Sequence, residues 1–282
     1  MILVFGKTGQ VASALAPRNG VVCLDRSEAD LAKPGACAAA IHRAAPLTVI
    51  NAAAYTAVDK AESEEDLATR INGDAPREMA EACASLDIPL VHISTDYVFD
   101  GSGEVPWKPN DPTEAAGAYG RSKLAGEVAI RSSAARHVIL RTSWVFSDVG
   151  SNFLKTMLRL GGERENLNVV DDQVGGPTPA PAIADACLTI ATRLVDDKDA
   201  KGGTYHFSGR DDASWADFAE AIFQEARLPC KVNPIPSSEY PTPAIRPLNS
   251  RLDCASLKAD FGIDRPLWRS SIEAMIAKLT AH

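Results

Sequence analysis

Residues 1–12 read MILVFGKTGQVA, an apolar, β-branched run that passes straight into a turn carrying Gly6 and Gly9. That order predicts a strand, a tight loop and a helix. Gly6 and Gly9 let the backbone bend sharply and approach a phosphate, whose charge the following helix N-terminus favours. The third small position is Ala12, where alanine still allows the helix to pack closely on the strand.

Outward from this turn the same alternation repeats. VVCLD (21–25), LTVINAA (47–53), PLVHIS (89–94) and HVILRTS (137–143) are of strand length and apolar without alternation, as strands covered on both faces are. Between them, GACAAAIHRAA (35–45), DLATRINGDAPREMAEACASL (66–86) and YGRSKLAGEVAIRSS (119–133) are rich in helix formers with apolar residues at helical spacing. Alternating strands and helices predict an α/β fold with a doubly wound parallel sheet of Rossmann type over residues 1–150. Ligands bind such sheets beyond the carboxyl ends of the strands.

Past residue 150 the pattern loosens. NFLKTMLRL (152–160), PAIADACLTIATRLV (181–195), SWADFAEAIFQEARL (214–228) and LWRSSIEAMIAKL (267–279) predict helices, some of them separated by proline-rich connections such as NPIPSSEYPTPAIRPLNS (233–250). Residues 151–282 are therefore expected to form mainly a smaller, mixed α/β substrate-binding region. LNVVDD (167–172) and TYHFSG (204–209) are each able to add a strand to the first sheet.

Composition narrows the function. With 45% apolar and 23% charged residues, the 282-residue chain is an ordinary globular protein able to bury a full core. Its net charge of -8 argues against a nucleic-acid partner, because a phosphate backbone demands a basic face. No apolar run approaches the roughly 20 residues of a membrane helix. Six scattered cysteines without a CxxC pair predict reduced thiols, and dispersed histidines predict no metal cluster. MILVFG reads as a strand rather than a leader, so a cytoplasmic protein is expected.

Polar residues gather where the strands end. Asp25 closes the second strand, where a carboxylate suits ribose hydroxyls; adjacent Arg26, or Lys7, suits the extra phosphate of NADP. Small residues Asn51 to Ala54 end the third strand, and Ser94, Thr95 and Asp96 end the fourth. A long loop containing Trp107 follows, then Tyr119 and Lys123, four residues apart and so on one helical face. A phenol beside an ammonium is either a surface pair or a proton donor with the cation that lowers its pKa.

The glycine turn, the Ser-Thr strand end and Tyr-x-x-x-Lys resemble the extended short-chain dehydrogenase/reductase superfamily. With NAAAYTAVDKAE, STDYVFDG, RTSWVF, NFLKTMLRL, DDQVGGPT and YPTPAIRPLNSRLD, the chain resembles, over nearly its whole length, the dTDP-4-dehydrorhamnose reductase family. The resemblance implies reduction by NADPH, with NADH possible, of the C4 ketone of a dTDP-linked 6-deoxyhexose. It implies Tyr119 as proton donor, Lys123 as the cation that lowers its pKa and holds the nicotinamide ribose, and Thr95 as hydrogen-bond donor to the ketone oxygen. It further implies Gly9, Gln10 and Val11 at the pyrophosphate, Asp25 at the adenosine ribose, and Asp30 and Leu31 at the adenine. Ala54, Tyr55 and Thr56 would flank the cofactor, Asp96 and Trp144 would face the sugar, and Arg246 would meet the diphosphate. Some relatives are described as dimers bridged by magnesium through acidic residues. Here the matching positions are Ala14 and Pro181, which cannot ligate a hard cation. A monomer or weak homodimer without bound metal is therefore expected. Two other readings share these residues, a reductase or epimerase of a different nucleotide sugar and a catalytically silent nucleotide-binding subunit.

Overall fold

The computed structural model describes residues 1–280. Five short strands alternate with helices through its first half: β1 (Ile2–Phe5), β2 (Val21–Leu24), β3 (Thr48–Asn51), β4 (Leu90–Thr95) and β5 (His137–Thr142). Helices α1 (Gln10–Leu15), α2 (Ala36–Ala44), α3 (Val58–Ala61), α4 (Glu65–Thr69), α5 (Ala75–Ser85) and α6 (Ala118–Ser132) connect them. Further on, β6 (Val145–Phe146) precedes α7 (Phe153–Glu163), and β7 (Asn166–Val170), β8 (Val174–Gly175) and β9 (Thr178–Pro179) lead into α8 (Ala180–Asp196). Then come β10 (Gly203–His206), β11 (Ala213–Ser214), α9 (Trp215–Glu225), β12 (Lys231–Ile235), β13 (Asn249–Ser250), α10 (Ala255–Phe261) and α11 (Trp268–Thr280). Among the described residues no helix is long and apolar enough to cross a membrane.

The main sheet has six strands in the order β10-β5-β4-β3-β1-β2, all parallel. Its side chains alternate between two cores, as the pleat requires. Leu3, Phe5, Val49, Leu90 and Ile139 pack with Ile41 of α2 and Met79 and Cys83 of α5. Val4, Ile50, Val91 and Val138 pack on the opposite face with Leu15 of α1 and Ile183, Cys187 and Ile190 of α8. Both faces are covered, which explains the uninterrupted apolar runs.

Chain direction along the sheet reverses between β1 and β3, because β2 lies on one side of β1 and β3 to β5 on the other. A crevice opens beyond the strand ends at such a reversal.

Of the two segments able to extend the sheet, TYHFSG does so as β10 beside β5, with Tyr205 opposite Leu140. LNVVDD does not. It forms β7, which pairs in parallel with β12 in a separate two-stranded sheet. There Leu167 and Val169 face Phe218 and Ile222 of α9, Leu154 of α7 and Trp268 of α11, in a core of their own. The helix predicted over 66–86 is interrupted by a π turn, Arg70–Asp74. Pro76 accounts for it: the ring has no N–H to offer the Asn72 carbonyl four residues back. The displaced Asn72 carbonyl bears on α6, where a Cβ at Gly126 would come within 2.1 Å of it.

Candidate active site

The turn after β1 stands at the reversal point. Gly6 has φ of 107°, a region glycine alone visits readily, and a Cβ there would lie 3.3 Å from the Ala52 carbonyl beyond β3. Gly9 begins α1 in extended conformation, and a Cβ on it would meet nothing within 4 Å. The turn is thus tight on its sheet side and open on the other, a fit for a phosphate group. Gln10 and Val11 offer only backbone to that space. The Gln10 carboxamide accepts from Ser147 Oγ (2.9 Å) and Asn152 Nδ2 (3.0 Å), tying the turn to the segment before α7, and the Val11 side chain is core.

At the end of β2, Asp25 Oδ1 accepts from the Ser27 backbone N–H (2.9 Å), and its other oxygen faces Lys7 Nζ at 3.4 Å. Ser27 and Lys7 together hold the Asp25 carboxyl below the usual carboxylate range. Arg26 is 80% exposed and reaches Asp30 at 3.4 Å, and Asp30 itself caps the Ala32 N–H. Leu31 packs beside the Ile41 core. Carboxylate and cations therefore stand together where the sequence places them.

After β3 the backbone runs without regular structure through Ala54 and Thr56. Asn72 clamps it there: its Oδ1 accepts from Tyr55 N–H (2.8 Å), and its Nδ2 donates to Tyr55 O and Ser122 Oγ, each at 3.0 Å. The Ser122 hydroxyl donates to Tyr119 O (2.7 Å), so the loop after β3 and the start of α6 form one unit. Nothing in the sequence marks Asn72 beyond the irregular NGDAP that makes the π turn.

Tyr119 occupies the first turn of α6 and meets Tyr97 edge to face, with ring centroids 5.4 Å apart. A Cβ at Gly120 would strike the Tyr97 carbonyl at 2.2 Å, so the glycine lets the helix start this close to the end of β4. Burial and the neighbouring Asp96 charge push the phenol up to about 12, against the pull of the Thr95 hydroxyl. The expectation that Lys123 lowers this phenol finds no support in this arrangement. The lysine amine is turned to the end of β4, donating to Ile93 O (2.7 Å) and lying 3.2 Å from His92 Nε2.

Thr95 Oγ1 donates to Asp96 Oδ1 at 3.0 Å. Asp96 is only 2% exposed, and its Oδ2 is buried without a hydrogen-bond partner. Burial raises this carboxyl to about 6, against the pull of Ser250 and Thr95. A native carboxyl raised in this way binds a proton more tightly than the unfolded chain does. The stability it allows is full below about pH 4 and is lost as pH rises through about 6. Asp96→Asn keeps the Oδ1 contact and removes the charge. It is expected to stabilise the protein by on the order of 2–3 kcal/mol at pH 7 and by almost nothing at about pH 4. Urea denaturation at the two pH values checks this; equal midpoints for both proteins at pH 7 would contradict it. Ser94 points elsewhere, donating to Glu127 Oε1 (2.6 Å) in a buried ion pair.

Trp144 is held at φ of 50°, unusual for a large residue, and stacks on Trp215 with centroids 3.6 Å apart and planes 9° from parallel. Trp215 is fixed in turn by Gln173, whose Oε1 accepts its indole N–H (3.1 Å) and whose Nε2 donates to Ser237 (2.9 Å). A Cβ at Gly175 would lie 3.1 Å from Trp144 Cε2 and 2.9 Å from Ser250 Cβ. Gly175→Ala is expected to displace the indole from its stack on Trp215, with a clear change in near-ultraviolet circular dichroism; an unchanged spectrum would contradict this packing.

The long loop before α6 is strapped down rather than free. Trp107 stacks on Phe99 at 4.6 Å and donates its indole N–H to Asn249 O (3.2 Å). Arg246 fits a diphosphate in charge, but its fork is engaged by Asp59, at 3.1 and 3.0 Å.

A parallel sheet with a glycine turn at its reversal point, and a Tyr-x-x-x-Lys helix facing the polar end of β4, defines the short-chain dehydrogenase/reductase class of oxidoreductases. The family model described as RmlD substrate binding domain matches residues 1–281. The chain is 46% identical over 284 residues to a dTDP-4-dehydrorhamnose reductase of Sinorhizobium fredii, covering 98% of this chain and 96% of the relative. Two solved structures superpose with TM-scores of 0.91. One is a dTDP-4-dehydrorhamnose reductase from Clostridium acetobutylicum, 36% identical and covering 99% of both chains. The other, from Bacillus anthracis and in complex with NADP, is 32% identical and covers 98% of both. The chain belongs to the RmlD family, that of the dTDP-4-dehydrorhamnose reductases.

Proposed function

We propose that this protein reduces the C4 ketone of dTDP-4-dehydro-L-rhamnose to dTDP-L-rhamnose with NADPH, using Tyr119 as proton donor. The observation that carries the reading is the meeting of Tyr119, Thr95 and the orphaned Asp96 oxygen at one strand end, inside a family whose relatives carry this name. NADPH is favoured by the NADP complex of the Bacillus anthracis relative and by exposed cations, Arg26 and Lys7, beside Asp25.

When bound, the nicotinamide would supply a hydride for the ketone carbon. Negative charge then grows on the ketone oxygen; Tyr119 stands ready to donate a hydrogen bond to it, and Thr95 does so by exchanging Asp96 Oδ1 for the ketone oxygen. The raised phenol pKa keeps Tyr119 protonated, hence able to donate, throughout the neutral range. Lys123, one turn along α6, holds the cofactor ribose and compensates the phenolate once the proton has left. Asp96 Oδ2 accepts a sugar hydroxyl, and Trp144 offers the sugar an apolar wall. Gly6 and Gly9 admit the pyrophosphate, approached by the backbone of Gln10 and Val11. Asp25 takes the adenosine ribose, Asp30 and Leu31 border the adenine, and Ala54, Tyr55 and Thr56 flank the nicotinamide side. Arg246 meets the substrate diphosphate by exchanging Asp59 for it. In this division residues 1–150 chiefly hold the cofactor and 151–282 chiefly shape the sugar site.

The test is a coupled absorbance assay. dTDP-4-keto-6-deoxyglucose is supplied with a 3,5-epimerase, and oxidation of NADPH and NADH is followed in parallel. Oxidation is expected to need both sugar and epimerase and to be faster with NADPH. Oxidation without the epimerase would instead assign a reductase of the unepimerised ketosugar. Cofactor binding with no oxidation under any condition would assign a silent nucleotide-binding subunit.

A further inference from the structure

Beneath Tyr119 lies a chain of buried polar groups whose donor and acceptor roles are fixed from one end. The Ala53 N–H donates to Asn51 Oδ1 (3.1 Å), so the other end of that amide, Nδ2, is a donor. It lies 3.0 Å from His92 Nδ1. A donor there requires an unprotonated Nδ1, and a neutral imidazole then carries its proton on Nε2. Nε2 faces Lys123 Nζ at 3.2 Å. An ammonium has only donors, so an N–H set against it would be repelled; a neutral amine has a lone pair and accepts. Lys123 still has hydrogens for Ile93 O at 2.7 Å. Reversing the Asn51 amide only moves the conflict, since Nδ2 would then face the Ala53 N–H.

Every group in the chain is satisfied in one arrangement: neutral His92 donating to neutral Lys123. Asn51, His92 and Lys123 are all 2% exposed or less, so water offers no alternative partner. Their surroundings agree. Burial and the nearby Lys123 and His137 hold His92 well below its ordinary value. Burial brings Lys123 down to about 8, opposed by Glu127 one turn further along α6. Asn51 on β3 carries no charge.

We propose that His92 is a positioning residue that favours the neutral amine of Lys123 in the cofactor-free protein, and that binding of the nicotinamide dinucleotide, by turning the amine off His92, makes the protein take up a proton from solvent at Lys123. The inference rests on the reading above that this site takes such a cofactor. It gives the lysine two settings: an amine that donates to Ile93 O and accepts from His92, and an ammonium that donates to the ribose hydroxyls. Above about pH 8 the positive charge would then form mainly when the cofactor is in place.

The experiment mixes cofactor-free protein with NADPH in weakly buffered solution containing a pH indicator, while binding is followed separately by nicotinamide fluorescence. Net proton uptake is expected to be small near pH 7 and to reach roughly half a proton or more per NADPH bound at about pH 8.5. In His92→Gln the side-chain oxygen accepts from an ammonium, so Lys123 is charged at rest. Uptake at that pH should fall by more than half while NADPH still binds. Binding without uptake in the parent protein, or uptake undiminished in His92→Gln, overturns the proposal. Failure to bind NADPH would instead overturn the cofactor reading on which it rests. Should His92→Gln not fold, nitrogen-15 spectra of the cofactor-free parent protein decide the matter. A neutral His92 protonated on Nε2 supports the proposal, and one protonated on Nδ1 overturns it.

Discussion

Tyr119→Phe is expected to lower kcat by about a hundredfold to ten-thousandfold, the range for loss of a positioned general acid, while NADPH affinity stays essentially unchanged. The ring keeps its packing in the change, because the edge-to-face contact with Tyr97 is made by carbon. What disappears is the hydroxyl beside Thr95 that stays protonated throughout the neutral range. Asp96 does not substitute for it. Its carboxyl, at about 6, is mostly ionised at neutral pH and holds little proton to give. Single-turnover rates with separate cofactor titration make the measurement. A rate within a few fold of the parent protein would take the donor role away from Tyr119.

The second large effect falls on stability. Glu127 and Arg141 are 0% and 1% exposed, and the guanidinium grips both carboxylate oxygens, at 2.9 and 2.6 Å. Burial alone would push the Glu127 carboxyl up; Arg141, with Ser94 and Arg131, outweighs burial and holds it below its ordinary value. Arg141 also donates to Pro109 O at 3.1 Å and lies over the Phe99 ring, anchoring the long loop before α6. Arg141→Met leaves a carboxylate buried with only the Ser94 hydroxyl and the partly exposed Arg131 to face it, and should cost about 3–5 kcal/mol. Replacing Glu127 by Leu in the same chain removes the stranded charge, so the double variant should recover much of that loss. Urea denaturation of the three proteins measures this. A single variant as stable as the parent would mean that the pair contributes nothing net.

Much of this was legible because the features are local. A glycine turn after a strand, an acid closing β2 and a tyrosine four residues before a lysine are all read within one element. The β7 and β10 segments look alike in sequence; which of them joined the main sheet depended on partners, Lys231–Ile235 for one and β5 for the other. Asn72, His92, Trp215 and Asp59 carry no local mark of their roles for the same reason. Asn72 acts on Ser122, 50 residues away, and Asp59 on Arg246, 187 residues away. No periodicity within an element registers such a contact. Gln10 and Ser94 show the converse: one opens α1 and the other lies near the end of β4, yet their side chains are taken up by structural partners.

Hydride delivery to one carbon of one sugar is tested most directly by isotope transfer. The protein is run with the epimerase, the ketosugar and NADPH carrying deuterium at its transferable position, and the product is examined by proton NMR. The account predicts dTDP-L-rhamnose bearing deuterium at sugar C4 alone. Deuterium at another carbon, or a product that carries none, would contradict it.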